Sequence, residues 1–217
     1  MPDLTAGSKN HELIAAMKGY VIQFLRNSRT MFTIIEVYHF YGLPVYQLLL
    51  CHPRIIPLLE VKISMEQLKV KISVKNLPSD YTCDGKDISP QISIGDVNPA
   101  LSKSLAIIVN DPDAPGGGGF VHWVVWNMEL VRMIPDNIPK TPEVTFPLRA
   151  VQGKNSFGRI GYNGPCPPRG QTHRYFFKVY GLDSEISLPA GATKDQLIRA
   201  MEGHVVQYGE TYVTYGR

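Results

Sequence analysis

The residues best suited to chemistry are two aspartates, two histidines and a tyrosine that stand beside loops rich in glycine and proline. Asp111 and Asp113 belong to a DPDAP segment, His122 follows four consecutive glycines, and His173 and Tyr175 follow a second glycine–proline loop. Imidazole and phenol groups can donate hydrogen bonds to phosphate or carboxylate oxygens. Proline rings and aromatic side chains around them would restrict the access of water. The set therefore predicts a small anion-binding pocket.

Two roles are open for Asp111, because a carboxylate would repel a bare anion. It could orient a histidine through a ring nitrogen, or it could hold the cationic group of a zwitterionic ligand such as phosphoethanolamine. Each residue taken singly also has an ordinary explanation, since aspartates form turns and histidines can be satisfied inside a core. The combination of two stiff loops, each ahead of a strand that carries a histidine, favours a site.

An enzyme is the main alternative to a binding site. Asp111, Asp113, His122 and His173 could form an oxygen- and nitrogen-rich metal site in a metal-dependent hydrolase. Neither an HxxxH spacing nor a nucleophile beside a base supports that function. We therefore predict a protein that is not an enzyme and has no catalytic residues, metal or cofactor.

Three apolar segments must position these residues. Segments 105–109 and 121–126 read as strands on either side of the DPDAP loop, and segment 173–180 reads as a third. Strict alternation would place His122 on one face with Val124 and Trp126, and it would place His173 on one face with Tyr175. Both histidines are thus expected where a loop meets a strand.

The rest of the chain predicts a mainly β fold, most simply a sandwich of two antiparallel sheets with short helices near the C-terminus. Further strands are expected at 68–74, 92–94 and 212–215. Thr193 and Gln196 form a capping box ahead of a helical pattern that continues to Val205.

The first 64 residues differ in character from residues 65–217, which read as a self-contained domain. A weak helical pattern covers 11–25, and the apolar segment 31–59 is interrupted by Glu36 and Pro44 before it reaches the length of a membrane span. Residues 1–64 are therefore an N-terminal extension of undetermined structure, and translation from an upstream start is one explanation for them.

Composition excludes some classes of partner. The 22 Lys and Arg residues against 19 Asp and Glu give a net charge of +3, with no basic run of the kind that follows nucleic acid. The three cysteines include no CxxC pair, so neither a disulfide framework nor a zinc knuckle is expected. A reducing, cytoplasmic location fits that usage.

Four motifs in order closely resemble the phosphatidylethanolamine-binding protein family, which includes Raf kinase inhibitor-like proteins and has a bacterial and archaeal branch. They are DPDAP, HWVVWN, GPCPP, and HRY followed by FFKVYGLD. The resemblance covers residues 68–217 and implies a compact β fold with a small anion pocket at one end. It does not extend to the first 64 residues.

By motif position, the resemblance implies a ligand-binding set and a cis peptide bond between Ala114 and Pro115. The implied ligand is a phosphate-bearing or other anionic group, such as a phospholipid head group or a nucleotide-like molecule. Among macromolecules, a protein kinase or protease is the candidate partner, a homodimer is the candidate assembly, and membrane contact is at most peripheral. The implied ligand-binding residues are Asp111, Asp113, Pro115, His122, Cys166, Pro167, Pro168, His173 and Tyr175.

Overall fold

The computed structural model describes residues 33–40, 43–49, 65–116 and 118–217. Strands β1 (Thr33–Phe40) and β2 (Leu43–Leu49) pair with each other in antiparallel fashion. The helical pattern at 11–25 lies outside the described residues. Within the described ranges, no helix has the length and apolar character needed to cross a membrane.

Residues 66–217 form two further sheets. A seven-stranded sheet has the order β3-β12-β11-β6-β7-β10-β9, and a three-stranded sheet has the order β4-β5-β8. A 3₁₀ turn at Ser79–Tyr81 and the helix α1 (Lys194–Ala200) complete this part of the chain. The strands are β3 (Glu66–Gln67), β4 (Lys69–Lys71), β5 (Ile92–Gly95), β6 (Ser104–Asp111), β7 (Phe120–Met128), β8 (Met133–Ile134), β9 (Glu143–Val144), β10 (Ala150–Gln152), β11 (Thr172–Leu182) and β12 (Val205–Gly216).

The hydrophobic core lies between these two sheets. Ile107, Val125 and Phe177 contribute from the large sheet, and Ile92 and Ile134 contribute from the small one. The central strands are buried on both faces, which is why their sequences are continuous apolar runs instead of alternating ones. The predicted mainly β sandwich is confirmed.

The bounds of three predicted elements are wrong. Helix α1 has the expected capping box between Thr193 and Gln196, but it ends at Ala200, since Gly203 takes a positive φ and Val205 already begins β12. Of the strand expected at 68–74, only β4 (Lys69–Lys71) is formed, with β3 just before it. The strand expected at 212–215 is the last part of the longer β12. Val205 fits the spacing of the helix, but it is buried as the first residue of β12. The local sequence pattern cannot show that pairing in a sheet takes precedence at this position.

Cys83 and Cys166 form a disulfide, with Cα atoms 5.4 Å apart. The expectation of no disulfide is therefore wrong. These cysteines are 83 residues apart, and a pairing of that range leaves no spacing signature in a sequence. The bond joins the segment around the 3₁₀ turn to the loop that contains GPCPP.

We predict that replacing both cysteines by serine lowers the free energy of unfolding by about 2–5 kcal/mol, because the disulfide restricts the unfolded chain across a long loop. Denaturant titration of the double variant against the oxidised wild-type protein measures this difference. Equal midpoints and slopes for the two proteins would contradict it.

Candidate functional site

The site lies where three neighbouring strands of the large sheet come together at one end. Strand β6 pairs with β7 on one side and with β11 on the other, both antiparallel. The last residue of β6 therefore meets the first residues of both partners. Asp111, His122, His173 and Tyr175 are all brought to this end, and each is at most 4% exposed.

Asp111 holds the His173 ring. Its Oδ2 lies 2.7 Å from His173 Nδ1, and its Oδ1 accepts a hydrogen bond of 2.8 Å from the backbone N–H of Asp113. Both carboxylate oxygens thus have donors within the protein. Of the two roles considered for Asp111, this is the geometry that orients a histidine.

The other ring nitrogen of His173 is covered by a neighbouring side chain. His173 Nε2 lies 3.0 Å from Oε1 of Gln171, whose backbone N–H donates to the carbonyl of Pro168 at 3.1 Å. The amide of Gln171 therefore occupies the position that a ligand atom would need in order to reach Nε2.

A β-bulge changes the direction in which the His122 side chain points. Val109 pairs with Trp123 and Asn110 pairs with Val121, so His122 is the extra residue on β7. The expectation from strict alternation is wrong here, because the bulge turns the His122 ring towards Tyr175, which is part of the core between the sheets. Without the bulge, His122 would share a face with Val124 and Trp126.

His122 is fixed through one ring nitrogen. Its Nδ1 donates to the backbone carbonyl of Asn163 at 2.7 Å, and the Asn163 N–H donates to the His122 carbonyl at 3.0 Å. Burial lowers the pKa of His122, although the backbone of Asn163 and Gly164 and the carboxylates of Asp111 and Asp87 act in the opposite direction. The neutral ring with hydrogen on Nδ1 leaves Nε2 as an acceptor.

Tyr175 supplies a donor without a partner. Its ring contacts the His122 ring edge-on at 5.2 Å, and its buried hydroxyl makes no hydrogen bond within the described part of the chain. Burial raises the pKa of Tyr175, and so do the charges of Asp111 and Asp113 and the approach of the Asp111 carboxylate to the hydroxyl, so the hydroxyl keeps its proton. A buried hydroxyl without a partner is costly unless something else accepts from it.

Asp113 is engaged by an arginine. Arg174 Nε and Nη2 donate to its two carboxylate oxygens at 2.9 and 2.6 Å, and the Arg174 backbone N–H adds a third bond at 2.9 Å. These bonds from Arg174 lower the pKa of Asp113. The pair attaches the DPDAP loop to the start of β11.

The nine predicted residues thus divide into two groups. Asp111, Asp113 and His173 are joined by hydrogen bonds, His122 and Tyr175 are in ring contact, and the Asp111 carboxylate lies near enough to act on both of them. Among the others, Pro167 is buried, Pro115 and Pro168 are exposed, and Cys166 is held in the disulfide instead of offering a thiol. The predicted cis bond at Ala114–Pro115 is wrong, since the cis peptide bond found within the described ranges is Phe146–Pro147.

Sequence reasoning missed three residues of the site. Arg174 is adjacent to His173 in the HRY motif and could have been paired with the acidic loop. No sequence pattern pointed to Gln171 or Asn163. Gln171 contacts His173 through an exposed side-chain amide, and Asn163 contacts His122 through its backbone carbonyl.

With this geometry in hand, comparison with known proteins gives a consistent answer. A family model described as phosphatidylethanolamine-binding protein matches residues 69–216. The chain belongs to the phosphatidylethanolamine-binding protein family. It is 50% identical over 159 residues to the UPF0098 protein PH1269 of Pyrococcus horikoshii, and the match covers 73% of this chain and 79% of that protein.

Two solved structures share the fold. The putative phosphatidylethanolamine-binding protein homolog CT736 of Chlamydia trachomatis is 38% identical, with a TM-score of 0.61, and the match covers 71% of this chain and 99% of that one. E. coli YbcL, described as a member of the mammalian family, is 29% identical with a TM-score of 0.63; the match covers 69% of this chain and 98% of that one. These similarities confirm the resemblance seen in the motifs.

A metal centre finds no support at this site. Within the described ranges, no group of three or more His, Cys, Asp or Glu side chains is arranged to hold a metal ion. Asp111 and Asp113 are instead bound to His173 and Arg174.

We predict that His122 makes stability depend on pH below about 6.5, the ordinary histidine pKa. Burial lowers the folded-state pKa, so the unfolded chain binds more protons in the window between that lowered value and about 6.5. The free energy of unfolding should therefore fall as the pH decreases through this window, by at most about 1.4 kcal/mol per pH unit from this group. Chemical denaturation at several pH values measures the slope. His122→Gln should give a shallower slope, and an identical slope would contradict the prediction.

Proposed function

We propose that this chain binds a phosphate-bearing or other anionic group, without catalysing a reaction, at the cluster of Asp111, His122, His173 and Tyr175. The single observation that carries the proposal is the buried Tyr175 hydroxyl, which has a proton to donate and makes no hydrogen bond of acceptable geometry within the described part of the chain, although the Asp111 carboxylate lies near it. An anionic oxygen is the acceptor that such a donor binds most strongly, because hydrogen bonds to charged groups exceed those to neutral ones.

The two histidines would contribute in different ways. A ligand oxygen that approaches His173 Nε2 has to replace the amide of Gln171, an exposed side chain that can rotate away. At His122, the Nε2 lone pair would accept from a protonated phosphate oxygen, or take up a proton as the anion binds.

The Asp111 carboxylate does not argue against an anion. Its two oxygens accept from His173 and from the Asp113 backbone, so both are already paired with protein donors. The carboxylate fixes the ring that meets the ligand, as carboxylates hydrogen-bonded to metal-binding histidines do.

The family description supports phosphoethanolamine as the first ligand to test, since a head group of that kind carries the phosphate that the cluster would hold. Regulation of a protein kinase or protease, dimerisation and a cytoplasmic location stay predictions from the resemblance and the composition.

We expect Tyr175→Phe to weaken the binding of inorganic phosphate by about 1.5–3 kcal/mol, the loss of one hydrogen bond to a charged group. The same change should not lower the free energy of unfolding, because it removes a buried polar atom that lacks a partner. Isothermal titration calorimetry and denaturant titration measure the two quantities.

Tyr212→Phe is the matched control for that change, because Tyr212 is 46% exposed and lies on β12, beside the strand that carries Tyr175. Its phosphate affinity should equal that of the wild-type protein. Equal affinity in the Tyr175 variant would refute the proposed function.

Asp111→Asn should weaken inorganic phosphate and phosphoethanolamine by similar factors, about tenfold, as the loss of a residue that orients a binding histidine typically does. The asparagine would place a second donor against His173 Nδ1 if its oxygen kept the Asp113 bond. Calorimetric titration with both ligands measures the ratio. A far larger loss for phosphoethanolamine would mean that the carboxylate holds the ammonium group instead.

A further inference from the structure

Asp87 lies outside every motif discussed above, yet its carboxylate is fully used. Its Oδ1 accepts from the backbone N–H of Gly164 at 2.6 Å. Its Oδ2 accepts from the side-chain amide of Asn163 at 2.7 Å and from Lys140 Nζ at 2.6 Å. Asp87 therefore binds the N–H of the Asn163–Gly164 peptide and the side chain of Asn163.

That same peptide unit contacts His122. The N–H of Gly164 and the carbonyl of Asn163 belong to one planar group, in which they point in opposite directions. The N–H donates to Asp87, and the carbonyl accepts from His122 Nδ1 at 2.7 Å. A negative charge on the N–H side polarises the peptide and strengthens the carbonyl as an acceptor on the other side.

The orientation of this peptide is fixed from a further direction. Asn163 Oδ1 accepts from the side chain of Asn155 at 2.9 Å, so the Asn163 amide has a partner at each end. Gly164 packs so closely on Tyr81 and Thr82 that a Cβ atom would clash with the Tyr81 carbonyl. Only small movements are open to the group that faces His122.

We propose that Asp87 is a positioning residue: through the Asn163–Gly164 peptide it holds His122 in the tautomer with hydrogen on Nδ1, so that Nε2 faces the ligand as an acceptor. The part of this inference that concerns the ligand rests on the proposed function. The part that concerns the His122 ring does not, and it can be tested without any ligand.

The local backbone fits this role. Asp87 has a φ of 57°, in the left-handed region that Asp and Asn tolerate better than other non-glycine residues. Asp87→Asn therefore keeps the backbone conformation while it removes the charge and replaces one acceptor oxygen by a donor. That donor would face the amide of Asn163 or the N–H of Gly164.

A purely structural role would be to tie the segment around Asp87 to the loop around Gly164. That tie is made several times without Asp87: by the Cys83–Cys166 disulfide, by the Cys83 N–H donating to the Pro165 carbonyl at 3.1 Å, and by the Tyr162 hydroxyl donating to the Tyr81 carbonyl at 2.9 Å. The two segments should thus stay together when Asp87 is changed.

The test is ¹⁵N NMR of the histidine rings in the full chain, with His122 assigned by comparison with His122→Gln. In the wild-type protein at a pH where the ring is neutral, we expect hydrogen on Nδ1 alone. In Asp87→Asn, we expect a mixture of the two tautomers and about a tenfold loss of affinity for inorganic phosphate.

Asp80→Asn is the matched control, because Asp80 lies in the same segment and its carboxylate pairs only with the exposed Lys86 among the described residues. It should leave the His122 signals unchanged. The Cys83→Ser/Cys166→Ser double variant removes the covalent tie and should also keep the wild-type tautomer. If it shifts His122 as Asp87→Asn does, Asp87 acts only as a structural tie, and the inference is overturned.

Unchanged His122 signals in Asp87→Asn would overturn the inference directly. If that variant fails to fold, Lys140→Met is the alternative, because it leaves Asp87 in place and removes only its cation. His122 should then keep hydrogen on Nδ1. Loss of that tautomer would count against the inference. A wild-type protein that fails to bind phosphate while Asp87→Asn still changes the tautomer would refute the proposed function and leave the positioning role standing.

Discussion

The antiparallel pairing of β6 with β7 and β11 is the interaction on which the site depends. Strand β6 is apolar on both faces and is therefore stable only in the middle of a covered sheet. Its central position fixes which residues meet at its end, so Asp111 lies between the strand that carries His122 and the strand that carries His173. The chemistry of the site follows from this pairing and from one bulge.

Burial then decides how the polar groups behave. Asp111, His122 and His173 are nearly inaccessible to water, and each obtains partners within the protein. The Tyr175 hydroxyl does not, and neither do the buried Asn110 Oδ1 and Trp126 Nε1 among the described residues. Tyr175 differs from Trp126 in its surroundings, because it lies next to the His122 imidazole and the Asp111 carboxylate. In the proposed function, these are the groups around the ligand. A site that binds an anion needs a hydrogen-bond donor that has no partner before the ligand arrives. Such an unpaired buried donor lowers the free energy of unfolding of the protein without ligand.

The sequence predicted much of the fold because apolar runs, glycine–proline loops and a capping box are local signals. It also predicted that the aspartates, both histidines and Tyr175 would come together, because they stand beside the loops that end the central strands. It could not predict the position of the His122 ring. A bulge of one residue has no clear signature in the sequence, and it moves the side chain to the opposite face of the sheet. Nor could it predict the Cys83–Cys166 bond or the part played by Asn163, because both depend on contacts between segments far apart in the chain.

The candidate site contains several carboxylates, and their pairing explains how it could accept the anion of the proposed function. Asp111 accepts from His173, Asp113 accepts from Arg174, and Asp87 accepts from Lys140 and the Asn163–Gly164 peptide. Each carboxylate has donors of its own within the protein, although the charge of Asp111 also acts on Tyr175 and His122. The donors in turn are held in fixed orientations, which lowers the entropic cost of ordering them around a ligand. A carboxylate that repels an anion when free can thus favour its binding when it is used to orient the groups that make the contact.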